Sequence, residues 1–356
     1  MNFKQLVFSA LLGITFFSSC TNDDEAIIDL PLGAYDNGVL ILNQGGFGNG
    51  NASISYLSDD LTVFQNNIFS LVNPSTIMGD TAQDIGFIDN LAYLVINGSN
   101  KIEIVNRYTM ARVGTISSGL SNPRYIVFAN GKGYVSNWGN GSNASDDFIA
   151  VINLTNNTVT TSIPVTEGPE RMIVNNSKIY VAHSGGFGFG SSVSVVSTTT
   201  NGVTSIPVHD VPNSLKIVGS ELYVLCGGKP AWTAAETVGA LTRINLSTDS
   251  VINSITFAVG LHPSNLDFES GQLYYTVDSN VFKTTPSATT LPTTPLFSTT
   301  AQGVYGVYSF AVKNDKVYVG DAGDYSSNGK VYVYNATGEL VSNKTVGVIP
   351  AGFYFN

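Results

Sequence analysis

The chain has 356 residues, 36 of them Gly, with only 12% charged side chains and a formal net charge of −10. Sixteen Lys and Arg spread over that length cannot build the clustered basic surface that phosphate backbones require, so nucleic acid is excluded as a partner. Few charges, abundant Gly and turns crowded with Ser, Thr and Asn describe an all-β chain, long enough for one large propeller or barrel.

Residues 1–20 read as a targeting segment. Lys4 supplies a positive start, residues 6–17 an apolar run too short to span a bilayer, and Ser18-Ser19-Cys20 a small-residue end. This resembles a bacterial lipoprotein signal, and the resemblance implies that Cys20 becomes an acylated N-terminus; ordinary secretory cleavage nearby is the alternative. The run Thr21-Asn22-Asp23-Asp24-Glu25 resembles the acidic export signal of Bacteroidota surface lipoproteins, with a solvated linker as the alternative. Residues 21–36 are expected to form a flexible linker and 37–356 the folded domain. With Cys20 lipidated, Cys226 is the one thiol left, so no intramolecular disulfide can form.

From residue 39 onward a short apolar strand recurs, marked by Leu40, Tyr93, Tyr134, Tyr180, Tyr223, Tyr274 and Tyr318. The steps between markers are 53, 41, 46, 43, 51 and 44 residues, the period of four-stranded propeller blades. Ahead of each marker lies another strand, four times opening with proline at Pro123, Pro169, Pro212 and Pro263. Its fourth position is apolar throughout: Ile85, Ile126, Met172, Leu215, Leu266 and Phe310. The copy missing before Leu40 stands at the other end, in Pro350-Ala-Gly-Phe-Tyr-Phe355. The spacing therefore predicts a seven-bladed β-propeller whose C-terminal strand joins the first blade and closes the ring. It also explains why "GGFG" is written twice, at Gly45 and at Gly185: blade one returns as blade four.

Blade four, "GPERMIVNNSKIYVAHSGGFGFGSSVSVVSTTTNGVTSIPV", is similar to the YVTN-type (YncE-like) propeller repeat, and the likeness covers every blade but the sixth, where residues 287–300 are rich in Thr and Pro. With its leader, the chain resembles the surface-exposed lipoprotein propellers of Bacteroidota. That resemblance implies an outer-membrane lipoprotein at the cell surface, working with a TonB-dependent outer-membrane transporter. It further implies capture of a small-molecule nutrient such as a cobalamin.

The loop after the marker strand and the loop leading into the proline strand are expected to open on one face, around the channel mouth. Those of blades three to five are long and carry Trp138, Phe187, Phe189 and Trp232; blades one and seven add Phe47 and Tyr325. Exposed rings beside Asn43 and Asn137 suit a large, flat, mostly neutral ligand, while rings that only cap the blade ends are the alternative. At the mouth itself, Arg124, Tyr125, Arg171 and Tyr308 follow the first position of the proline strand and are candidate ligand contacts, unless Glu170 simply neutralises the arginines.

Catalytic signals are weak. His183, His209 and His262 fall in three different blades, and neither Asp146-Asp147 nor Asp321 with Asp324 makes a dense oxygen-ligand loop, so no metal, no cofactor and no enzymatic activity are expected. Besides ligand capture, a protein-interaction or adhesion scaffold would use the same face. A propeller hydrolase or lyase would need a metal ion in the channel.

Overall fold

The computed structural model describes residues 31–356, so Cys20, the leader and most of the acidic linker lie outside the described residues. Within them the chain forms seven four-stranded antiparallel sheets, as the spacing predicts. The strand that lines the channel comes first in each of blades two to seven: Ala82–Ile88, Pro123–Ala129, Pro169–Asn175, Pro212–Val218, Ser264–Glu269 and Ser309–Lys313. In blade one the lining strand is Pro350–Phe355, paired antiparallel with Gly38–Asn43. Residues 32–36 of the expected linker lie against the ring, where the Tyr35 ring packs edge-on to Tyr56 at 5.4 Å.

Burial explains the composition of each strand. The second strand of a blade, such as Leu91–Ile96 or Lys178–His183, is covered on both sides by neighbouring blades and is accordingly a continuous apolar run. The outermost strands, such as Ser250–Thr256, are exposed and rich in Ser and Thr. Among the described residues an apolar cluster fills each of the seven blade interfaces, and a small eighth joins Ala322, Val348 and Ile349; the cluster between blades four and five joins Tyr180 and Val195 to Leu215 and Leu222. The outer strand of blade six is only Phe297–Ser298, and that of blade one is equally short, Phe64–Gln65.

One local device, repeated around the ring, shapes the mouth. The residue before the channel strand has positive φ in five blades: Thr81 at 56°, Asn122 at 48°, Gly168 at 65°, Val211 at 58° and Ile349 at 56°. For a β-branched residue this backbone costs about 1–2 kcal/mol. The return is a carbonyl aimed across the blade. The carbonyls of Thr81, Asn122, Val211 and Ile349 accept the backbone N–H of Asn97, Trp138, Gly227 and Gln44, at 2.8–3.1 Å. Each bond ties the start of the channel strand to the loop after the second strand of its own blade. A β-bulge follows, between Pro123 and Ile126 or between Pro169 and Met172, and re-aims the side chains it carries.

Candidate ligand-binding face

Both kinds of loop open on one face, because the first residue of the channel strand pairs with the last of the second: Pro123 with Asn137, Pro169 with His183, Pro212 with Cys226. On that face the rings of three adjacent blades meet. Phe187 stands edge-on to Trp138 with centroids 5.7 Å apart, and Phe189 lies 5.9 Å from Trp232. Phe187 and Phe189 sit two residues apart on one loop, so the four rings form a chain across blades three, four and five. Phe187 and Trp232 are about four-fifths exposed. On the opposite side Tyr308 and Tyr325 make a second edge-on pair at 5.7 Å.

The two "GGFG" loops do not fold alike. In blade four the turn is closed by Gly188 N–H donating to Gly185 O, whereas in blade one Asn49 N–H donates to Gly46 O, one residue further along the repeat. Phe187 is thereby brought over Trp138, while the exposed Phe47 has no ring beside it among the described residues. Gly185 has φ +100°, and a Cβ there would run into the backbone of Gly190, so no other residue fits.

Under the rings lies a charged layer. Arg124 donates from Nε to Glu170 Oε1 at 2.9 Å and places its guanidinium 4.0 Å over the Trp138 ring. Burial pushes the Glu170 carboxyl upward, and the Arg124 charge opposes that. The Tyr308 hydroxyl, raised to about 12 by burial, stays protonated and donates to Gln44 Oε1 at 2.7 Å. Tyr125 and Arg171 sit deeper, in the channel wall.

Asn43 and Asn137 lie beneath the face rather than on it. Both are fully buried; Asn43 donates to Ser55 Oγ at 2.9 Å, and Asn137 donates to Val135 O at 2.8 Å while accepting from Ser121 N–H. An Asn at the end of a blade's second strand is there to close the blade, which its loop-like residue type conceals. Sequence reasoning passed over Tyr305, 97% exposed just ahead of blade seven; its only signal is the repeated Tyr in Val304-Tyr-Gly-Val-Tyr308.

The histidines are dispersed. His183 is buried, with Nε2 2.8 Å from Ser194 Oγ, and burial lowers it to about 4, so the ring is neutral at physiological pH. His262 lies with Nδ1 2.8 Å from Gly227 O, and His209 borders a shallow hollow on blade five. Among the described residues, no three His, Cys, Asp or Glu side chains converge on a possible metal position. Asp146 and Asp324 accept backbone N–H groups of their own loops.

Asp147 supports the Trp138 loop from below. It is buried, accepts the Gly168 N–H, and is pushed up to about 6 by burial. A raised carboxyl binds its proton more readily folded than unfolded, so this group favours the fold increasingly as pH falls from about 6 to about 4. Asp147→Asn keeps an acceptor for Gly168 and removes the buried charge. The variant should melt higher than the parent at pH 7 and alike at pH 4; a pH series of thermal melts checks both.

Fold and face together define a seven-bladed β-propeller that presents an aromatic surface at one mouth of its channel. The chain belongs to the family described as a domain of unknown function, DUF5074, which matches residues 37–356. No curated protein sequence matches it. Its fold is similar to that of a quinonprotein alcohol dehydrogenase-like protein from Bacteroides thetaiotaomicron, with TM-score 0.67 and 13% identity over 90% of this chain and 78% of that one. It is also similar to hydrazine synthase of Kuenenia stuttgartiensis, at 0.59 and 16% over 76% and 88%. A third likeness is to BamB from Moraxella catarrhalis, at 0.53 and 13% over 89% and 85%. At such identities the likeness shows the fold alone.

Proposed function

We propose that this chain is a ligand-capture protein of the outer cell surface, anchored through a lipid on Cys20, that offers a nutrient on its aromatic face to a TonB-dependent outer-membrane transporter. The observation that supports it is the chain of four rings across blades three to five, two of them about four-fifths exposed, above a layer of hydrogen-bonding groups. Solvent-facing rings of this kind stack on a flat, largely neutral body of cobalamin size. The leader supports the location, and the binding role is one that the propeller fold accommodates without catalysis.

The test uses purified protein and a thermal-shift screen that includes cobalamins, since a ligand of the native state raises the melting temperature. Trp232→Ala is expected to weaken the best ligand about 30-fold, the equivalent of about 2 kcal/mol for a hot-spot ring, and to leave the unliganded melt unmoved. Trp138→Ala should lower the unliganded melt, because that ring is half-buried and packed against both Arg124 and Phe187. A screen without hits, combined with Trp232-dependent binding to the transporter alone, would replace ligand capture by a protein-interaction scaffold.

A further inference from the structure

The channel behind the face encloses about 490 Å³ and carries charge that ligand capture by stacking does not use. Arg171, in the third position of the blade-four channel strand, turns its side chain into the lumen and remains accessible to solvent there. Its guanidinium lies over the Tyr125 ring at 4.9 Å and, among the described residues, makes no ion pair and no side-chain hydrogen bond. The carboxylates whose charge reaches it, Asp84 and Glu170, are each bonded to other groups, and Glu269 of the same lining accepts Asn314 N–H at 3.1 Å. Asp84 accepts Ile126 N–H on one oxygen and the Tyr354 hydroxyl on the other, both at 2.9 Å. Glu170 is held by Arg124. The next lumen cation, Lys216, is paired with Asp267 at 2.7 Å.

Ser309 donates its hydroxyl to Pro350 O at 2.6 Å, and Tyr125 accepts from Gln83 Nε2 at 3.0 Å, which leaves its own O–H to donate. Among the described residues, therefore, neither the five N–H groups of the Arg171 guanidinium nor the Tyr125 O–H has a protein acceptor within hydrogen-bond distance. A guanidinium fork matches a carboxylate or a phosphate two oxygens at a time, which an ammonium cannot do.

We propose that the channel binds a small oxyanion group, a carboxylate or a phosphate, on Arg171 and Tyr125. The site is independent of the aromatic face, and it lets a ligand that carries an acidic group enter the mouth acid-first. Binding would be bidentate to the fork, with the Tyr125 hydroxyl donating to the same group.

The experiment titrates the protein with inorganic phosphate and, separately, with succinate, against sodium chloride of equal ionic strength, by thermal shift and calorimetry. Phosphate stabilises most proteins by exclusion from their surfaces, so the decisive comparison is with Arg171→Met under the same salts. A saturable rise with one of the two anions is expected, and which one responds identifies the source as phosphate or carboxylate. The apparent affinity should fall at least tenfold in Arg171→Met and severalfold in Arg171→Lys, which keeps the charge without the fork. Trp232→Ala should respond as the parent does, which separates failure of this site from failure of the face. Lys313→Met, another lumen cation, should also leave the response intact. An equal response in parent and Arg171→Met, or none above chloride, would overturn the proposal; if Arg171→Met does not fold, the Arg171→Lys and parent titrations decide it.

Discussion

A chain ending at Val348 is expected to lose cooperative melting, although the deletion removes only eight of 356 residues. The missing strand is the channel strand of blade one, in register with Val39 through Asn43. Phe353 and Phe355 pack on Tyr318 of blade seven at 5.6 and 5.2 Å, and Tyr354 donates to Asp84 of blade two. Arg107 of blade two donates to Phe355 O at 3.0 Å and to Asn356 Oδ1 at 2.8 Å. Truncation thus opens two blade interfaces at once. Losing one well-packed Phe costs about 3–5 kcal/mol, against a total of about 5–15 kcal/mol for a folded domain. Calorimetry should find no sharp transition in the truncated chain; a transition within a few degrees of the parent would mean that six blades and a three-stranded seventh suffice.

Asp267→Ala should be the most damaging single substitution in the channel wall. This carboxylate collects three donors: Val312 N–H of blade seven at 2.7 Å, Phe268 N–H at 2.8 Å, and Lys216 Nζ of blade five at 2.7 Å. It therefore spans blades five, six and seven. Alanine leaves the buried Val312 N–H without an acceptor, which costs about 1–3 kcal/mol, and strands Lys216. Because the Lys216 side chain is more than a third exposed, the ion-pair loss is the smaller share. A fall of about 3 kcal/mol is expected in the urea unfolding free energy, and about 1 kcal/mol for Asp267→Asn, which can still accept from Val312. Equal, small losses for both would place the strength of that interface in apolar packing alone.

The blade count and the ring closure were legible because both rest on periodicity, and a period survives the substitution of individual residues. The aromatic loops were legible for a related reason: Trp138, Phe187, Phe189 and Trp232 stand in long Gly-rich segments where no strand can bury them. The second layer of the site was not. Whether Asn43 faces a ligand or closes a blade depends on one residue of register at a strand end. The β-bulge between Pro169 and Met172 decides where Glu170 and Arg171 point, sending one to Arg124 and the other into the lumen. Lys216, Asp267 and Tyr354 fall two residues beyond the positions that sequence marks as the mouth, and only the closed ring brings them into one channel.

The closure of blade one also sets an order of events. Six blades are contiguous in sequence and can each form as soon as they are made, but Gly38–Asn43 waits for a strand more than 300 residues away; the Asn356 side chain bonds Tyr35 O across a separation of 321. Long-range pairing of this kind is slow to form. As the chain emerges from a ribosome, the channel-side edge of its first-made hairpin must remain unpaired until Pro350–Phe355 arrives. The ring therefore locks last at this seam, once the other six blades have been made.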